Sequence, residues 1–182
     1  MTRVGGCLAA LLVSVPTYAG ENLAIDASHA AVVFSWNHRG FSHPLARLEK
    51  IAGTVLLDRA DLTRSSVSAT MALDGLRTGD ADLDRRLRGK SFFDISRYPA
   101  ITFKSTQVEI IDSTNRLRIV GDLSVHGITR SVVLDAHINR MTESTVGLDA
   151  DATLRRSDFD LGRYVPMVSD ELTVHITLEA SE

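Results

Sequence analysis

Histidines are the side chains best suited to chemistry in this chain, and the six of them, His29, His38, His43, His126, His137 and His175, stand apart from one another. Only His38 and His43 are near enough to share a metal ion across one loop, and they would need a third ligand from elsewhere. No HExxH helix and no pair of carboxylates at ligand spacing accompanies them. Isolated histidines more often serve as hydrogen-bonded structural groups, so no metal is expected, and His137 and His175 fall on the outward parity of their segments. Ser157-Asp158 invites a nucleophile, yet no glycine elbow surrounds the serine and no partner histidine can be assigned to it; capping of a turn is the expectation. The charge run of Asp80, Asp82, Asp84, Arg85, Arg86 and Arg88 reads as the solvated face of a helix, with a polar rim at a cavity mouth as its functional alternative. No catalytic constellation assembles, and an enzyme is not expected.

The elements that would position a site begin with that helix. Asp80 is placed to cap its N-terminus, and Leu83 and Leu87, four apart, share one face above Phe92 and Phe93. Pro99 biases Tyr98 towards an extended backbone and is expected to stop the helix. From Ile101 the apolar period changes to two, with Ile101 and Phe103 on one side and Thr102 and Lys104 on the other. Phe92, Phe93 and Tyr98 therefore either cover the edge of a sheet or roof a cavity.

Alternation runs through the rest of the chain. Val32, Phe34, Trp36 and His38 share a face; an extended piece spans Leu45 to Leu57, with Gly53 as a bulge or bend; a polar turn follows at Asp58 to Arg64; and Val67, Ala69, Met71 and Leu73 alternate again. Further runs are Leu117 to Val125, Val132 to Ile138, Val146 to Leu154 and Leu172 to Leu178, and His126-Gly127 forms a tight hairpin between the first two. Short turns and one-sided apolar faces mean antiparallel pairing. About eight such strands and one short helix suffice to close a barrel that holds one small ligand, although a sandwich would show the same pattern. Gly121, Ala136, Ala150 and Ala152 are small where a solid core wants bulk, which favours a hollow interior; barrel taper and a filled core remain the alternative.

The net charge of −3 supplies no field for nucleic acid. Arg3, the apolar run Cys7 to Val15 and Thr17-Tyr18-Ala19 make residues 1–19 an export signal cleaved after Ala19, and the run is too short to span a bilayer. Val4-Gly5-Gly6-Cys7, which looks like a lipoprotein box, lies at the start of that run and not at its end, so no lipoprotein anchor is expected. Cys7 is the only cysteine, so the mature chain, 20–182, has none, which fits an oxidising compartment and excludes thiol chemistry. No later run is long enough to cross a membrane.

Asp26-x-x-His29, Phe34-x-x-x-His38-x-Gly40-x-Ser42, Gly53-Thr54, Asp84-x-x-Leu87, Phe92-Phe93-Asp94 through Tyr98-Pro99, Phe103-x-Ser105-Thr106, Gly121-Asp122-Leu123 with His126-Gly127-x-Thr129, and Arg156-Ser157-Asp158-Phe159 occur in the order and spacing of the YceI-like proteins. The chain resembles that family from Leu23 to Glu179, departing from its common residues at Ala46, Leu83 and Arg86. The resemblance implies an all-β fold, an eight-stranded antiparallel lipocalin-like barrel with one short helix insertion, located in the periplasm and holding a polyisoprenoid or another long-chain amphipathic lipid. The side chains expected to bind it are Val32, Phe34, Trp36, His38, Asp84, Phe92, Phe93, Tyr98, Phe103, Gly121, Leu123, Leu134, Ala150 and Ala152. Among the inward positions only His38, with Tyr98 and Asp84 nearby, is placed to hydrogen-bond a head group. The expectation is thus a secreted carrier with a lipid as its one partner, no other cofactor, and a homodimer left open. A lipid-acting or metal-dependent hydrolase, and a stress-related interaction protein with a filled core, are the rivals.

Overall fold

Period-two patterning yields eleven antiparallel strands in the residues described by the computed structural model, 20–182; the expected signal at 1–19 lies outside them. They are β1 (Glu21–Ile25), β2 (Ala31–His38), β3 (Leu45–Leu48), β4 (Ile51–Leu57), β5 (Ser66–Ala72), β6 (Leu76–Arg77), β7 (Ala100–Ile110), β8 (Arg116–Val125), β9 (Ile128–Met141), β10 (Thr145–Arg155) and β11 (Val168–Ser181), with helix α1 (Ala81–Arg88) before β7. Hydrogen bonding runs β1-β4-β5-β7-β8-β9-β10-β11 and returns to β1 through Ala24↔Ser181 and Ile25↔Ala180, so eight strands close a ring. The fold is a barrel and not a sandwich. β2, β3 and β6 prolong β1, β4 and β5 beyond short breaks, and β2 pairs with the other half of β11.

The breaks have local causes. Between β1 and β2, the Asp26 carboxylate accepts from the Ser28 amide (2.9 Å) and meets His29 Nδ1 (2.6 Å), building a side-chain turn in place of strand pairing. Strand β1 escaped the alternation pattern because it is five residues long and ends at this turn. Of the bulge or bend expected at Gly53, the bulge is not found: Gly53 sits in β4 in regular register opposite Ala69. Glycine is required there by a close approach, since a Cβ would lie 2.1 Å from the Ser68 carbonyl oxygen. His126 and Gly127, with φ of 52° and 78°, form the two-residue hairpin between β8 and β9.

Asp80 caps α1 by accepting from the Asp82 and Leu83 amides (2.8 and 3.2 Å). The helix stops at Gly89, ten residues before Pro99. There the chain turns back, with Phe93 N donating to Leu87 O (3.0 Å) and Phe92 N to Gly89 O (3.0 Å), whereas Pro99 immediately precedes β7 and accepts from Leu73 N (2.9 Å).

One end of the barrel is solid. Leu23, Leu57, Val108, Leu117, Ile138, Val146 and Ala180 are buried there, and the 58–65 loop closes it around Asp58, 3% exposed. Asp58 accepts from the Ala60 and Asp61 amides and pairs with Arg64 at 3.1 Å. At the other end the wall parts in two places. β6 pairs with β3 alone, so α1 and the 89–99 segment fill the gap before β7; and the β9–β10 ladder stops at Asp135↔Asp151, leaving 152–155 unpaired on that side. Next to that second gap the 3₁₀ turn Arg156–Phe159 leads into the 160–167 loop, which Arg156 holds by donating to four carbonyls: Ser169 (2.8 Å), Leu161 (2.8 Å), Arg163 (3.2 Å) and Val168 (3.1 Å).

Two substitutions test these supports. Arg156→Met removes the donor of all four bonds and should cost about 1.5 to 3 kcal/mol, lowering the melting midpoint by roughly 3 to 12 °C and speeding amide exchange across 160–168. At Gly121 an added Cβ would lie 2.4 Å from Phe103 Cζ and 2.7 Å from the Lys104 carbonyl oxygen. Gly121→Ala should cost about 1 to 3 kcal/mol in thermal denaturation, and adding Phe103→Leu should recover part of that loss.

Candidate ligand-binding cavity

Inward parity brings apolar side chains from all around the barrel to its open end, and α1 lays Leu83 and Leu87 across the top with Phe92 and Phe93. The space between them is a cavity of about 300 Å³, at the lower edge of the range usual for small-molecule sites. Its wall is almost wholly apolar. Phe34, Trp36, Val132, Leu134, Leu154, Leu172 and Ile176 line it and remain only half-buried although they point inward. The surface they still expose is the cavity wall, so the hollow interior is observed at this end and the filled one at the other.

Of the fourteen expected ligand-binding residues, Val32, Phe34, Trp36, Phe92, Phe93, Phe103, Leu123, Leu134, Ala150 and Ala152 line the cavity. Four do not, and each has a physical reason. His38 shares parity with Trp36, but β2 runs past the end of the cavity, so His38 stands exposed on the rim, its amide donating to Ser42 O (2.9 Å). Asp84 is turned away to accept from the Thr78 amide and hydroxyl (2.8 and 2.7 Å), and it faces Arg88 at 3.8 Å, tying the helix to the end of β6. These bonds, the Thr78 hydroxyl first, hold its carboxyl below the usual range. Tyr98 packs edge-on against His126 at 4.7 Å over Gly127, buttressing the hairpin. Gly121 has the Phe103 ring where its side chain would be, so it makes room for an aromatic wall residue and not for a ligand.

None of His38, Tyr98 and Asp84, the expected polar group, is among the residues that line the cavity. Among the described residues, Arg86, Arg155, Arg156 and Arg163 line the cavity with Tyr164, and no carboxylate does. Two of these were legible: Arg86 lies three residues from Leu83 on the same helix face, and Arg156 continues the inward parity of Ala150, Ala152 and Leu154. Arg163 and Tyr164 come from an irregular loop whose course no period announces; Phe92 meets the Tyr164 ring at 6.1 Å.

Ser157 donates its hydroxyl to Asp170 Oδ2 (2.6 Å) and its amide to Oδ1 (2.8 Å), so it ties the turn to β11. The hydroxyl bond is the main cause of a lowered Asp170 pKa, which makes that carboxylate a weaker base. His43 Nε2 lies 3.4 Å from Asn37 Nδ2, and among the described residues no three histidine, cysteine or carboxylate side chains gather as a metal would require.

A curated relative, a UPF0312 protein of Vibrio cholerae, is 35% identical over 131 residues, covering 70% of this chain and 68% of its own. Among solved structures, BcnA of Burkholderia cenocepacia superposes with a TM-score of 0.80 at 22% identity, over 86% of this chain and 99% of that one. A polyisoprenoid binding domain from Saccharophagus degradans, described as implicated in plant cell wall breakdown, gives 0.67 at 14% identity, over 87% and 97%. At such identities the likeness of the structures speaks for the barrel fold alone. Residues 23–180 match the model of the YceI-like domain, a span that takes in almost all of the described residues, and the chain belongs to the YceI-like family.

Proposed function

We propose that the protein binds one long-chain amphipathic lipid, of the polyisoprenoid kind, in its half-hollow barrel and carries it through the periplasm without chemical turnover. The observation that carries this is the set of inward apolar side chains left half-buried around the cavity at the open end of the barrel. Unfilled apolar surface of this kind is a standing cost that an apolar chain relieves. Each CH₂ moved out of water contributes about 0.8 kcal/mol, less the cost of ordering the chain and of association. The polyisoprenoid binding domain among the structural neighbours supports the choice of ligand class.

A hydrolase would need an activated nucleophile beside the cavity. Ser157 donates to a carboxylate that is itself a weakened base, and this favours binding over catalysis. The export signal expected at 1–19 and a single cysteine, Cys7, within it support the periplasm. Among the described residues no helix is long and apolar enough to cross a membrane.

Ala152 and Ala136 separate the cavity from the packed end. Ala152 lines the cavity, whereas Ala136, 4% exposed, belongs to the core and not to the lining. Ala152→Phe should lower binding of a fluorescent C20 isoprenoid at least about tenfold, which is about 1.4 kcal/mol, and leave the melting midpoint of the lipid-free protein almost unmoved. Ala136→Phe should instead cost about 1 to 3 kcal/mol of stability. Equal destabilisation by both, with binding unchanged, would contradict the assignment.

A further inference from the structure

Ten large apolar side chains stand exposed among the described residues, and four of them, Phe41, Tyr164, Val165 and Met167, occupy two adjoining loop tips at the open end of the barrel. The tips touch where the Arg39 amide donates to the Met167 carbonyl (3.1 Å) and its guanidinium to the Met167 sulfur (3.1 Å), next to the pair His38↔Val168. Single exposed apolar side chains are ordinary, whereas a cluster marks an interaction surface.

Neither tip is slack. The turn from His38 to Phe41 closes as Phe41 N donates to His38 O (3.0 Å), with φ of 55° and 75° at Arg39 and Gly40, and the Gly40 amide donates to Asn37 Oδ1 (2.6 Å). This turn holds Phe41 88% exposed, and it protrudes, since a Cβ added at Gly40 would meet no atom within 4 Å. The second tip hangs from the Arg156 bonds to the Leu161, Arg163 and Val168 carbonyls. Polar bonds thus fix both tips while their apolar side chains face solvent.

Charge narrows the choice of what covers them. Residues 38–43 and 163–167 are exposed throughout and carry Arg39 and Arg163 but no carboxylate, in a chain whose net charge is −3. Each arginine lies on an apolar neighbour, Arg39 on the Met167 sulfur and Arg163 over the Tyr164 ring at 5.5 Å. Apolar tips set with arginines suit the boundary of a bilayer, where the apolar side chains enter the acyl region and the guanidinium groups stay among anionic phosphates. A second copy facing these tips would bring the arginines against their own counterparts, with no carboxylate on either tip to pair them.

We propose that the open end docks on an anionic phospholipid membrane by inserting Phe41, Val165 and Met167. Tyr164 joins this surface to the cavity, because it is almost half exposed, lines the cavity and meets the Phe92 ring at 6.1 Å. The choice of a bilayer over a protein rests on the cavity being a lipid site, since a tail then passes between bilayer and cavity without crossing water.

The test sediments the mature chain with vesicles of mixed phosphatidylethanolamine and phosphatidylglycerol. Binding should exceed that to phosphatidylcholine vesicles and weaken as salt rises. Since the mature chain has no cysteine, Phe41→Cys and, at the solid end, Ile111→Cys each accept one environment-sensitive dye. Vesicles should shift the first dye to the blue and leave the second unmoved. The double variant Phe41→Ser, Val165→Ser should bind vesicles at least about tenfold more weakly, with the melting midpoint and the uptake of a fluorescent C20 isoprenoid from solution unchanged; if it does not fold, the two dye positions decide. No vesicle binding, binding that the double variant keeps, or equal dye shifts at both positions overturns the docking. Self-association that Phe41→Ser abolishes, without vesicle binding, assigns the face to a second copy and also overturns it. Vesicle binding without isoprenoid uptake leaves the docking standing and overturns the cavity reading alone.

Discussion

The cavity depends on closure of the ring, and closure rests on β11, which pairs with β1 through Ala24↔Ser181 and Ile25↔Ala180 and with β2 from Thr177↔Ala31 to Leu172↔Trp36. A closed antiparallel ladder has a radius set by strand number and stagger, so its walls stay apart without side chains to prop them. Two open sheets facing each other have no such constraint and would settle onto any void between them. With the backbone paired around the ring, side-chain size can vary along the axis. Large side chains then fill one end, and Ala69, Ala150 and Ala152 leave the other unfilled.

That division of labour explains where polar groups are found. At the solid end Asp58 is buried and fully engaged by amides and Arg64, as a closed core demands. At the open end the ladder parts on both sides of the cavity, and the parting is covered by α1 and by the loop that Arg156 holds. These covers are tied down through polar contacts at their edges, Asp84 with Thr78 and Ser157 with Asp170, while their inner faces stay apolar except for the arginines. The same two covers thus supply the roof and, among the described residues, every charged residue of the lining except Arg155, which ends β10.

Much of this was legible in the residues. The strands from β7 onward follow their alternation closely, the hairpin at His126-Gly127 and the cap at Asp80 follow from local chemistry, and ten of the wall residues follow from parity and from the helix face. The failures share a cause: period two tells which way a side chain points but not how far along the axis it sits. His38 points with Trp36 yet lies beyond the cavity, and Gly121 points inward yet faces the Phe103 ring across the sheet. Asp84 and Tyr98 were placed by proximity in sequence, and pairwise bonds to Thr78 and packing on His126 draw them elsewhere. Arg163 and Tyr164 lie on a loop shaped by Arg156 hydrogen bonds, for which no sequence period exists.

The most direct test of a lipid-filled half-barrel is native mass spectrometry of the protein exported to the periplasm and purified without detergent. The account predicts one discrete adduct per chain, with the mass of a single long-chain amphiphile, lost on solvent extraction and regained on incubation with an isoprenoid lipid. A chain that always shows its bare mass and takes up no lipid after extraction would contradict it.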